Sequence, residues 1–166
     1  TVASLVTISE GGLKVAGNSA ANDGTAQGTI AITSADKIYF EVTIGAVENN
    51  VYPLIGIVDA VLATFGRNAG PGEPGSTTVG GCGYGKDGTK QVGGAFSAYG
   101  STFAANDIVG CAVDGVNGAI YFSKNNTWQN GGDPTSGASK TGAAFTWTSG
   151  AKTYLPACGA YNTAYA

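Results

Sequence analysis

Alternation of apolar and polar residues runs through most of this chain and predicts strands rather than helices. The clearest stretch is Asn106 to Gln129, NDIVGCAVDGVNGAIYFSKNNTWQ. Ile108 to Val113 predicts one strand, and Asp114 to Gly118 a reversal built from residues that tolerate turn geometry. Ala119 to Lys124 predicts a second strand, with Ile120 and Phe122 on one face and Tyr121 and Ser123 on the other. Asn125-Asn126 suits a two-residue hairpin turn, because asparagine visits the left-handed region more readily than other non-glycine residues. Thr127 and Trp128 then begin the returning strand.

The same pattern recurs on either side. Ser4 to Ile8 and Leu13 to Ala16 form an expected hairpin around Glu10-Gly11-Gly12, and Gly17 to Gly28 reads as a polar connection. Gly28 to Thr33 predicts a short strand and Lys37 to Gly45 a strong one, its Ile38, Phe40, Val42 and Ile44 on one face. Leu54 to Val58 is almost wholly apolar, which predicts a central strand covered on both sides. Asp59 to Thr78 is irregular and rich in Gly and Pro, so it reads as a long loop. Val79 to Tyr84 and Gln91 to Tyr99 read as strands around a Lys86-Asp87-Gly88 turn. Gln129 to Gly142 is a second polar loop, Ala143 to Thr148 a strand or a single helical turn, and Tyr154 to Tyr161 the closing strand. No stretch carries a helical period long enough to require a helix. The expectation is all-β, in one domain spanning residues 1–166.

Composition supports this and narrows the chemistry. The 28 glycines and sparse charge fit short strands joined by tight turns. A net charge of −3, with Arg67 as the single arginine, lacks the basic stripe that nucleic acid requires. No apolar run reaches the ~18 residues of a membrane span, so membrane insertion is not expected. Cys82, Cys111 and Cys158 are widely spaced and odd in number, which suits buried small hydrophobes rather than a disulfide framework or zinc site.

The ordered segments resemble a SPRY domain. The resemblance rests on KIYFEVTI (Lys37–Ile44), LIGIVDA (Leu54–Ala60), GYGKDGTK (Gly83–Lys90), AYG (Ala98–Gly100), the Asn106–Gln129 stretch and LPACGAY (Leu155–Tyr161). Within the central piece, Asp107, Gly110-Cys111, Asp114 and Tyr121 to Asn125 match, while Asn126 replaces the family's turn glycine. It is strongest over residues 37–161. The resemblance implies a distorted β-sandwich of two antiparallel sheets, serving as a binding or structural module. The Gly-, Ala-, Thr- and Asn-rich style is more similar to SPRY modules of tailed-bacteriophage structural proteins. It therefore implies a virion localisation, on a head fibre, tail or other appendage, with other virion proteins as partners and a multimeric arrangement on the particle. A host-surface glycan or protein is the expected ligand. The alternatives are a purely structural decorating or fibre-linking domain and an adaptor-type peptide binder.

No catalytic constellation is expected. The chain has no histidine, which removes the imidazole base of serine and cysteine nucleophile systems. The acids Asp87, Asp107, Asp114 and Asp133 sit in turn-like contexts, where aspartate caps backbone amides, and Glu41 is mid-strand on the face opposite Phe40. Asp114 to Gly118 lacks the spacing of a calcium loop. No metal or cofactor is expected. Trp128 is read as covering the core beside Phe122. By the resemblance, ligand contact falls on loops at one end of the sandwich: Phe65, Arg67 and Asn68 after LIGIVDA, and Tyr161 and Asn162 after LPACGA. The arginine-rich rim of the family's peptide readers is reduced here to Arg67, and Asn162 stands where they carry an aromatic.

Overall fold

In a computed structural model, residues 6–17, 23–45, 52–61, 74–77 and 80–161 are described. Thirteen strands follow one another among them: β1 Val6–Ser9, β2 Lys14–Gly17, β3 Asp23–Gln27, β4 Lys37–Thr43, β5 Leu54–Asp59, β6 Cys82–Gly85, β7 Thr89–Val92, β8 Ala95–Ala98, β9 Ile108–Asp114, β10 Ala119–Lys124, β11 Thr127–Trp128, β12 Phe145–Thr146 and β13 Tyr154–Tyr161. Every strand pairing among the described residues is antiparallel. One sheet runs β11-β10-β9-β4, with β12 also on β10, and the other runs β3-β13-β5-β6-β7-β8. The β1–β2 hairpin is a third, separate pair.

The two large sheets close over one core. Val109, Cys111, Val113, Ile120 and Phe122 from the five-stranded sheet meet Ile55, Ile57, Cys82, Tyr84 and Tyr154 from the other. Phe122 stacks on Tyr84 at 5.4 Å between ring centres, and Tyr99 meets Phe122 edge-on at 6.0 Å. Such aromatic geometry adds to the burial that drives the sandwich together. All six residues of β5 are buried, as the continuous apolar run predicts. Its outward-facing Val58 packs with Ala157 and Leu155.

Turn chemistry sets the registers. Asn125 and Asn126 both adopt positive φ, 46° and 64°. The turn pairs Lys124 with Thr127 and Ser123 with Trp128. At the other end of β10, Asp114 accepts from the Asn117 amide (3.0 Å) and side chain (2.8 Å), closing the β9–β10 reversal. Gly115 lies against the Thr33 and Asp36 carbonyls, leaving no room for a Cβ.

Three sequence expectations change. The connection expected over residues 17–28 contains β3, whose DGTAQ carries no large apolar side chain and which forms by pairing with Ala157–Tyr161 of β13. Conversely, Gly28 to Thr33 yields only an isolated bridge from Ile32 to Tyr154. The expected strand over Gln91–Tyr99 is a hairpin, β7 and β8, because Gly93 and Gly94 both take positive φ.

Candidate functional site

The family resemblance assigns ligand contact to five loop-end residues. Phe65, Arg67, Asn68 and Asn162 lie outside the described residues. Tyr161 ends β13 opposite Asp23, and its side chain also lies outside the description.

The second polar loop, 129–142, is a tied structure. Asp133 accepts from the amide (2.8 Å) and hydroxyl (2.6 Å) of Thr135, and Thr141 donates its amide to Ser136 Oγ at 3.0 Å. Gln129 is buried, accepting from the Ser101 amide at 2.8 Å. The loop lies over Tyr121, whose hydroxyl is 3.4 Å from Ser136 Oγ. That cover explains why Tyr121 is fully buried although it points away from the sandwich core.

Next to this loop, the outer face of the five-stranded sheet stays open. Along β4, Lys37, Tyr39, Glu41 and Thr43 are exposed while Ile38, Phe40 and Val42 turn inward. Tyr39 is 51% exposed. Its ring lies across the floor made by the small residues of β9. A Cβ on Gly110 would come within 2.5 Å of the Tyr39 hydroxyl. That hydroxyl donates to Glu41 Oε1 at 2.7 Å. Acceptance by Glu41 is the main reason the phenol titrates above its usual range. Trp128 meets the Tyr39 ring edge-on, with 6.3 Å between centres and planes at 70°.

Trp128 is therefore not a core residue beside Phe122. The two-residue turn places it opposite Ser123, and Ser123 faces outward. The register carried this signal, since Asn125-Asn126 fixes which face Trp128 takes once Phe122 is assigned inward. Tyr39, Glu41 and Trp128 are the surface cluster that sequence reasoning missed. Beside them, Lys37, Tyr39, Ala112, Asp114 and Pro134 line a shallow groove of about 170 Å³.

The other described carboxylates are committed to structure. Lys37 pairs with Asp114 (3.1 Å), Lys124 with Asp107 (3.1 Å), and Lys152 with Asp59 (2.5 Å). Hydrogen bonds from Thr33 hold Asp36 below the usual carboxylate range, and those from Thr135 do the same for Asp133. Asp107 is lowered first by Asn125, then by the Ala104 amide and Lys124. Burial pushes Asp114 up most strongly, yet the bonds from Asn117 and Lys37 together bring it below its ordinary value. These carboxylates are held ionised, as caps and ion-pair partners require, and are poor proton donors at neutral pH. Burial pushes the thiols of Cys82 and Cys158 up to about 12 and raises Cys111 as well, so all three sit as protonated core groups. Among the described residues, no group of three or more His, Cys, Asp or Glu could hold a metal ion, and no helix is long and apolar enough to cross a membrane.

The SPRY domain family profile matches residues 37–165, more than three quarters of the chain. The chain belongs to the SPRY domain family. Among solved structures, the crystal structure of a human SPRY domain is similar over 93% of this chain and 88% of that chain, at 20% identity and a TM-score of 0.60. At that identity the likeness speaks for the fold, and it agrees with the two-sheet sandwich. No curated protein sequence matches this chain. SPRY domains are generally binding modules that mediate protein–protein interactions, and membership says nothing about which partner this SPRY domain meets.

Proposed function

We propose that residues 1–166 act as one non-enzymatic docking module that attaches to a partner surface, a protein or a surface glycan, without transforming it. The observation that carries this reading is the contrast between committed and uncommitted groups. The aspartates of the described turns serve as caps and ion-pair partners, whereas the outer face of the five-stranded sheet presents the half-exposed Tyr39 ring set against Trp128. Such surfaces bind weakly site by site and gain strength from many copies. The Gly- and Asn-rich composition favours a setting on a bacteriophage virion or its appendages, where multiple copies and other virion proteins would supply that gain.

Within this reading the family resemblance assigns primary contact to the loop end, at Phe65, Arg67, Asn68, Tyr161 and Asn162. A multivalent display of the domain, tested for binding to intact bacterial cells and on a glycan array, checks the proposal. Retention on cells or specific glycans that Arg67→Ala or Tyr161→Ala weakens severalfold is the expected result. Retention unaffected by both substitutions removes the loop-end assignment. Absence of any retention removes host attachment and leaves the purely structural, fibre-linking role.

A further inference from the structure

We propose that the outer face of the β4–β9–β10–β11 sheet carries an arginine-binding site, formed by Glu41 with the rings of Tyr39 and Trp128, for an arginine of a protein partner. Its three residues are none of those assigned to the loop end, and it holds whether or not that assignment does.

Charge carries the argument. Among the described acidic residues with placed side chains, Glu10, Asp59, Asp107 and Asp114 each meet a lysine, while Asp36, Asp87 and Asp133 close local turns. Glu41 differs. Its partner is a neutral phenol that occupies Oε1 only, and no described cation lies within ion-pair distance. The carboxylate is exposed on a sheet face, where no turn uses it.

The surroundings select the cation. A guanidinium is flat, weakly hydrated and forked, so it can pair with a carboxylate while stacking on an aromatic ring. The half-exposed Tyr39 ring beside Glu41, braced edge-on by Trp128, offers that combination. Lysine would gain the charge contact but not the planar stacking. The small floor at Gly110 and Ala112 lets Tyr39 lie low across the sheet, which leaves room above it for a partner's side chain. The net charge of −3 adds a weak attraction for a basic partner surface.

The test is an NMR titration of the ¹⁵N-labelled protein with acetyl-Gly-Arg-Gly-amide, and with the same peptide carrying citrulline, which keeps the shape and loses the charge. Shifts should concentrate at the Trp128 indole N–H and the amides of Tyr39, Glu41 and Gly110. The citrulline peptide should bind about fivefold more weakly or not at all, and Glu41→Gln should lose a similar factor. Tyr39→Phe keeps the ring and frees Glu41 Oε1, so it should retain binding, and its dispersed spectrum guards against misreading a folding defect. Equal shifts from both peptides, unchanged binding by Glu41→Gln, shifts confined to other surfaces, or no shifts at tens of millimolar peptide would each overturn the site. Self-association that Arg67→Ala abolishes, with shifts on this face, would give it to a second copy and overturn the assignment to a different protein.

Discussion

The two faces of the β4–β9–β10 sheet are built from the same strands and do opposite work. Inward, Ile38, Phe40, Val109, Cys111, Val113, Ile120 and Phe122 interlock with the second sheet. Outward, Lys37, Tyr39, Glu41, Gly110, Ala112 and Trp128 form a low relief of small residues crossed by one aromatic pair. The inner face is specified by volume, since close-packed interiors tolerate few changes of size. The outer face is specified by which polar groups remain uncommitted. The part over Tyr121 is sealed by the 129–142 loop, and the part around Tyr39 is left open. Stability and binding are thus separated by a single sheet thickness.

The sharpest way to break this contrast is to cut into the inner face. Phe122→Ala removes a ring packed against Tyr84 and Tyr99, and should cost about 3–5 kcal/mol by urea denaturation. A loss under about 1 kcal/mol would mean the core is not specified by volume there. Gly110→Ala probes the outer face with a smaller expected effect. Its new Cβ meets the Tyr39 and Ser123 hydroxyls, both ends of side chains, so a loss of about 1–2 kcal/mol is expected. Part of that loss should vanish when Tyr39→Ala is made alongside it, the Ser123 Oγ contact remaining, a non-additivity a double-mutant cycle detects.

What could be read in advance follows the same division. Strands β4, β5, β9, β10 and β13 were legible because their inner faces impose alternation or continuous burial, and Tyr154–Tyr161 matches its expected bounds. Strand β3 was illegible because DGTAQ contributes backbone pairing to β13 and no apolar stripe. The split of β7 from β8 lay in the Gly93-Gly94 pair, whose turn role outweighed the apolar residues around it. Trp128 was misplaced because a large aromatic suggests a core, whereas the strand register puts it on the same side as Ser123. The Tyr39–Glu41 pairing was within reach, since residues two apart on a strand share a face. Its openness was not, because that depends on where the 129–142 loop stops covering the sheet.

The smallest test separates Asn125 from Asn126, neighbours with the same left-handed backbone and different side-chain engagement. Asn125 Oδ1 accepts the Ile108 amide at 2.8 Å, and its Nδ2 donates to Asp107 Oδ1 at 2.7 Å. Asn126 holds the position where the family carries glycine. Asn125→Gly relieves the cost of positive φ but loses both bonds, for an expected net loss of about 1 kcal/mol. Asn126→Gly relieves the same cost and should gain a few tenths of a kcal/mol. Asp107 supplies a second readout. Its lowered pKa gives stability that is present above the unfolded carboxylate pKa and lost as pH falls through the folded one. Because Asn125 is the largest cause of that lowering, Asn125→Gly should raise the Asp107 pKa toward its ordinary value, while Asn126→Gly leaves it in place. Equal shifts in the two variants, followed by carboxyl NMR titration, would show that the turn backbone rather than the Asn125 side chain sets the charge at this end of the sheet.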